Sequence, residues 1–276
     1  MKHIFLYCFA GLMLVCCTPR PDHLTILHTN DTQSQVQPKR GTKLGGYARR
    51  MGLIAQERKA DKNLLLLDAG DFCQGTPYFN FYGGRVEIEA MNRMGYDAAT
   101  LGNHEFDNGL DSLAMLIRMA RFPFVCANYD FTGTPLEGLV QPYIILDKGG
   151  LKVGIFGLGC SPRGLISTAH FGNITYSDPY SVAQAMADTL HAHNCDVVIC
   201  LSHVGTAEKT PGATCDSAMV RVTRGIDLVI GGHTHVPHVN YRVPNCEGDS
   251  IPLCQMAKSG TYLGKIMLYL GDKIEK

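Results

Sequence analysis

The 276-residue chain is long enough for one large α/β core or two small domains. Its 25 Lys and Arg side chains are matched by 25 Asp and Glu, and no basic run breaks the balance, so the sequence offers nothing suited to a nucleic-acid polymer. Any attraction for phosphate must come from a local cluster.

The chain opens with Lys2 and an apolar stretch at 4–15, too short to span a bilayer as a mature helix, and reads as a secretory signal. It ends in Leu14-Val15-Cys16-Cys17, which looks like a bacterial lipobox with Cys17 as the lipid acceptor. On that reading residues 1–17 are a lipoprotein signal, and the exported protein is anchored in the membrane of the cell envelope, on its periplasmic or cell-surface side. Cys16 is the alternative acceptor, with bulky Val15 beside the cut, and an ordinary cleaved signal that happens to carry cysteines is the other reading. Residues 18–23 then form a short tether that Pro19 and Pro21 keep extended.

From residue 24 onward the elements alternate. The expected order is strand 24–27, helix 46–59, strand 64–67, helix 86–94, strand 98–101, helix 111–120, strand 153–158, helix 181–193, strand 197–201, a loop containing Gly, Pro and Thr at 206–218, and strand 228–230. The strand segments are continuously apolar, as in a sheet covered on both faces, and their alternation with helices predicts an α/β layered domain over 24–276. Eight cysteines follow the signal. Their pairing is left open by the sequence, except that Cys195 and Cys200, flanking a strand, read as buried apolar residues.

Six polar clusters each follow an apolar run: Asp31-Thr32-Gln33, Asp68-Ala69-Gly70-Asp71, residues 102–107 (Gly-Asn-His-Glu-Phe-Asp), Ser202-His203, Gly231-Gly232-His233, and His235. In α/β sheets ligands gather beyond the carboxyl ends of strands, where all six lie. Carboxylate and amide oxygens with neutral imidazoles suit Mn, Fe, Co or Zn, and two such ions about 4 Å apart activate water against phosphate esters. One carboxylate can serve both ions, and Asp71 is the candidate bridge. Asp68 reads as a structural brace of its turn. His28, inside the first strand, also reads as structural, and His170, His191, His193 and His238 as surface or loop. Arg49 and Arg50 read as a solvated helix face.

In this order the clusters resemble the calcineurin-like metallophosphoesterases, and among them the 5′-nucleotidase family. The resemblance also takes in the run from Leu24 to Asp31, Gly45-Gly46 with Arg49-Arg50, residues 70–75, Gln255, and the stretch from Gly260 to Lys265. It implies a four-layer α/β/β/α sandwich and two divalent metal ions. One ion would be held by Asp31, Gln33, Asp71 and His235, the other by Asp71, Asn103, His203 and His233. His104 would face the substrate, stabilising developing charge or protonating the leaving oxygen, with Asp107 orienting its ring. The departure is Gln33, where family members usually carry histidine, and it implies an altered metal preference.

The resemblance implies a 5′-nucleotidase-type phosphatase acting on a nucleotide or other phosphate ester. Cyclic-nucleotide phosphodiesterase activity is the nearest alternative, and a weakly catalytic metal- or nucleotide-binding subunit a more distant one. Full-length nucleotidases of this family carry a C-terminal domain that clamps the base, and the sequence stops soon after residue 270. A separate chain supplying that domain is therefore an expected partner.

Overall fold

The continuously apolar runs of the sequence become the inner strands of two stacked sheets. The computed structural model describes residues 21–207 and 214–271. The lipobox with Cys17, and the tether up to residue 20, lie outside the described residues.

In chain order the elements are β1 (His23–Thr29), α1 (Tyr47–Ala60), β2 (Leu65–Asp68), α2 (Pro77–Tyr82), α3 (Arg85–Met94), β3 (Ala98–Thr100), a 3-10 turn at His104–Phe106, α4 (Gly109–Met119), β4 (Phe124–Val125), β5 (Tyr129–Asp130) and β6 (Val140–Gln141). They continue with β7 (Tyr143–Lys148), β8 (Leu151–Leu158), α5 (Thr168–Phe171), β9 (Thr175–Tyr176), α6 (Pro179–Ala192), β10 (Val197–Ser202), α7 (Asp216–Val222), β11 (Leu228–Gly231), β12 (Arg242–Pro244), β13 (Ser250–Cys254) and β14 (Gly264–Tyr269).

One sheet has the order β14-β1-β2-β3-β4-β6 and the other β12-β13-β11-β10-β8-β7. Parallel strands occupy the centre of each, and β14, β12 and β7 join antiparallel at the edges. Side chains alternate across each strand, so every buried strand feeds two cores. Leu24, Ile26, Leu65 and Leu67 of the first sheet meet Val153, Ile155, Ile199 and Ile230 of the second in the layer between them. The opposite faces of the same strands carry Leu66 and Leu27 towards Ile54, Ile88 and Leu113 of α1, α3 and α4. Phe156, Val198 and Cys200 point outward from the second sheet to Ala183, Ala187 and Leu190 of α6. The result is the four-layer α/β/β/α sandwich.

Two expectations need correction. The loop expected at 206–218 ends in α7, whose Met219 and Val220 pack on the outer face of the second sheet; one short helix gives too few turns for a visible periodicity. Arg50 is not on a solvated face. Only Arg49 is exposed, whereas Arg50 is 4% exposed and lays its guanidinium over the Tyr47 ring at 5.2 Å, because α1 turns positions 47, 50 and 54 inward. All eight cysteines among the described residues are free thiols, and Cys195 and Cys200 are buried as apolar residues. No helix among the described residues is long and apolar enough to cross a membrane.

Candidate metal centre

Parallel strands bring the polar clusters to one end of the sandwich. Asp31 follows β1, Asp71 follows β2 and Asn103 follows β3, all from the first sheet; His203 follows β10 and His233 follows β11 of the second. These loops turn abruptly. Asp31, Gln33, Asp71, His233 and His235 all have left-handed backbones, with φ of 47°, 44°, 56°, 74° and 63°. Such conformations are costly for non-glycine residues and persist where the surroundings impose them, typically at functional sites.

The donor atoms form two groups that share one carboxylate. Asp71, His203 and His233 offer ligand atoms within 4.8 Å of one another, and so do Asp31, Asp71 and His235. Nε2 of His203 lies 3.0 Å from Oδ2 of Asp71, and Nε2 of His235 lies 3.2 Å from Oδ1 of Asp31. Oδ1 of Asn103 is 3.0 Å from Nδ1 of His233, which adds an amide oxygen to the first group. Gln33 joins the second, its amide 3.4 Å from Nε2 of His235.

Glycines make this convergence possible. A Cβ on Gly102 would stand 2.2 Å from Oδ1 of Asp71, and one on Gly232 would meet Nδ1 of His203 at 2.7 Å. Both side chains would be pushed out of place.

The residues fit a pair of cations. Nε2 of His203 is fully buried and has no aligned hydrogen-bond partner among the described residues, although Oδ2 of Asp71 stands 3.0 Å away. Its other nitrogen is pinned 2.6 Å from the carbonyl oxygen of Ala69, which fixes the ring and leaves Nε2 as the free donor. Burial opposes charge on His203, but the carboxylates of Asp71 and Asp31 outweigh it and raise its pKa well above the usual imidazole value. Burial likewise opposes charge on Asp71, and His203 outweighs it and holds its pKa down. The site thus favours positive charge between its acidic groups. Its mix of oxygen and imidazole donors suits Mn, Fe, Co or Zn.

His104 and Asp107 stand beside these groups. The backbone N–H of His104 donates to Oδ1 of Asp71 at 2.9 Å, while Nδ1 of its ring lies 2.9 Å from Oδ2 of Asp107. The hydrogen bond to Asp107 raises the pKa of His104 against the opposing effect of burial. Its side chain is 28% exposed, within reach of a ligand from solvent.

Several supporting residues were given no role by the sequence, Asp68 excepted. Glu105 is buried and accepts from the backbone N–H groups of Asp71, Gly102 and Cys73 at 2.9, 2.6 and 3.1 Å, tying the bridge candidate to the Asn103 loop. It lies inside the 102–107 cluster, but nothing in that spacing distinguishes a brace from a ligand. Asn30 donates to Oδ2 of Asp31 at 2.5 Å and exchanges hydrogen bonds with the backbone of Met256. Asp216 accepts from the Ser202 hydroxyl at 2.5 Å, just behind His203. Gln255 accepts from Thr234 at 3.0 Å and donates to the Val236 carbonyl at 2.7 Å, clamping the loop that carries His235. Asp68 is the brace the sequence suggested: it accepts from Thr29 at 2.5 Å and from the Gly70 N–H at 2.9 Å.

Comparisons with known proteins agree with this architecture. The family model for calcineurin-like phosphoesterases matches residues 24–237. The chain is 34% identical to rat 5′-nucleotidase over 97% of its own length and 50% of the relative. The crystal structure of a 5′-nucleotidase precursor from Thermus thermophilus superposes with a TM-score of 0.80 at 36% identity, over 89% of this chain and 51% of that one. The calcineurin-like phosphoesterase YfkN from Bacillus subtilis superposes with a TM-score of 0.70 at 29% identity, over 89% of this chain and 84% of that one. The chain spans about half the length of the curated relatives it matches.

Proposed function

Because the chain belongs to the calcineurin-like phosphoesterase family, we propose that it is a two-metal phosphoric monoester hydrolase of the 5′-nucleotidase type, acting on nucleotides. The observation that carries this reading is the pair of donor groups meeting at Asp71. In the proposal Asp31, Gln33, Asp71 and His235 hold one divalent ion, and Asp71, Asn103, His203 and His233 hold the other. When bound, the two ions supply Lewis acidity towards the phosphoryl oxygens and generate the nucleophile from water.

The chain's own groups do the rest. Asp71, anchored by Glu105 and the His104 N–H, keeps the two donor groups in register. His104, with its pKa raised by Asp107, is placed to donate its Nε2 proton to the leaving oxygen, and Asp107 fixes the tautomer by accepting from Nδ1. Proposed with equal standing are a lipid anchor at Cys17, location in the cell envelope, and a separate chain that completes base recognition.

The test is a substrate panel with apo-protein reloaded with Mn, Zn, Co or Fe. Hydrolysis of nucleoside 5′-monophosphates and p-nitrophenyl phosphate, with little action on bis-p-nitrophenyl phosphate, is expected; a preference for the diester would move the assignment to a phosphodiesterase. Without a second chain, discrimination between nucleotides and simple monoesters should be poor. A hundredfold preference for one nucleotide, worth about 2.7 kcal/mol of differential transition-state binding, would show that this chain reads the base itself.

A further inference from the structure

The chain leaves β8 through Gly157-Leu158-Gly159-Cys160, a run that the two donor groups do not use. Its glycines let the second sheet come close to the first. A Cβ on Gly157 would stand 2.0 Å from the carbonyl oxygen of Val125 on β4, and one on Gly159 would stand 2.4 Å from the Tyr129 ring. At this contact the Ala127 N–H donates to the Gly157 carbonyl at 2.8 Å. The Asn128 side chain accepts from the Gly159 N–H and donates to the Gly159 carbonyl, both at 2.8 Å, and the Tyr129 hydroxyl donates to the Cys160 carbonyl at 2.5 Å.

This clamp fixes the backbone of Cys160, which is buried, and sets where its thiol points. The thiol donates to Oδ1 of Asn103 at 3.9 Å, and the same oxygen lies 3.0 Å from Nδ1 of His233. His203, whose sealed Nε2 has no aligned partner, belongs to the same donor group. The sulfur does not: the ligand atoms of Asp71, His203 and His233 that lie within 4.8 Å of one another do not include it. A neutral amide has an accepting end and a donating end, and only its oxygen serves a cation. With the NH2 end turned to the thiol, the S–H would lose its acceptor.

We propose that Cys160 is a positioning residue for the group of Asn103, His203 and His233, its thiol holding the Asn103 amide with the oxygen towards the ion. The proposal rests on the two-metal reading. It makes the Asn128 and Tyr129 clamp part of the metal centre's support, reaching it from β4 through the end of β8. The influence passes through one atom, Oδ1 of Asn103, so it must vanish when that atom is removed.

The experiment titrates the apo full chain with Co and records binding and the absorption spectrum for the unaltered chain, Cys160→Ala, Cys160→Ser, Asn103→Ala and the double variant. Cys160→Ala should weaken the tighter Co-binding step about tenfold, the low end of the usual cost of losing a partner that orients a ligand. Cys160→Ser keeps a donor and should stay within about threefold of the unaltered chain. In the Asn103→Ala background, Cys160→Ala should cost nothing more. No form should show a thiolate-to-cobalt charge-transfer band. Cys160→Thr against Cys160→Val repeats the contrast of donor and no donor at equal shape, and serves if the alanine form does not fold. Absence of saturable Co binding by the unaltered chain overturns the two-metal reading and this proposal with it. Equal binding by the unaltered chain and Cys160→Ala, a serine form as weak as the alanine form, or a loss that persists undiminished without Asn103 overturns the proposal alone. So does a charge-transfer band that disappears with Cys160, which would make the thiol a ligand.

Discussion

The two donor groups that share Asp71 are built differently. The group of Asn103, His203 and His233 is the more enclosed. His203 is wholly buried with its far nitrogen on the Ala69 carbonyl, Asn103 has an ordinary right-handed backbone, and Glu105 ties their neighbours Asp71 and Gly102 together. The group of Asp31, Gln33 and His235 sits on turns, every one of its own residues has a left-handed backbone, and the His235 side chain is 32% exposed. The contrast lies mainly between the sealed His203 and the part-exposed His235, because Asp31 is as buried as His203 and His233 shares the left-handed backbone. The lesson is that the enclosed half should keep its ion, while the open half should set exchange and metal choice.

The most drastic way to break this contrast is to remove what the halves share. Asp71→Ala leaves two cations with no anion between them, and their repulsion at short range favours losing both. Metal analysis should find neither ion, and turnover should vanish. Retention of both with near-normal activity would remove Asp71 as the bridge. His104→Ala comes next. It should cut turnover by roughly two to four orders of magnitude with both ions still bound, the size of a general-acid contribution. A fall in metal content instead would make His104 a ligand of the enclosed half.

A third change probes the brace. Glu105 accepts three backbone N–H groups through two oxygens, so Glu105→Gln turns one acceptor into a donor facing N–H groups already present. Metal affinity should fall about 10- to 100-fold, the usual cost of disturbing a partner that orients a ligand. The loss should reach both ions through the shared Asp71 and fall harder on the enclosed half, whose Asn103 loop also leans on Glu105 through Gly102. Equal weakening of both ions in a competition titration would show that the halves are not independently supported.

The sequence exposed most of the frame and the reactive groups, for the same reason. Inner strands such as β2 and β10 are buried on both faces and so read as unbroken apolar runs, and polar residues directly after them stand out. Edge strands do not. β7 is half-buried along almost its whole length and β14 alternates partly buried and exposed positions, and neither is followed by a cluster of polar residues at the site. The supporting residues were hidden for another reason. Beyond near neighbours, Glu105, Asp216 and Asn30 act on partners 32 to 34, 14 and 226 positions away, and only the folded strands set those distances. Arg50 misled because a charged residue in a helix is usually solvated, and here the Tyr47 ring shelters it.

The smallest expected effect is the most informative about the open half. Gln33 lies on a left-handed turn with its amide 3.4 Å from Nε2 of His235; turning the amide over would place its oxygen, rather than its nitrogen, at that point. An amide oxygen is a harder and weaker donor than imidazole for borderline metals, so the open half as built should hold Zn less tightly than an all-imidazole version and release it first. Gln33→His should therefore tighten the weaker of two Zn-binding steps by about tenfold, while the tighter step, assigned to the enclosed half, stays put. The turn already accepts a non-glycine residue at φ 44°. Titration of apo-protein with Zn separates the outcomes: if neither step moves, position 33 faces away from the ions, and if the tighter step moves, the two halves have been assigned the wrong way round.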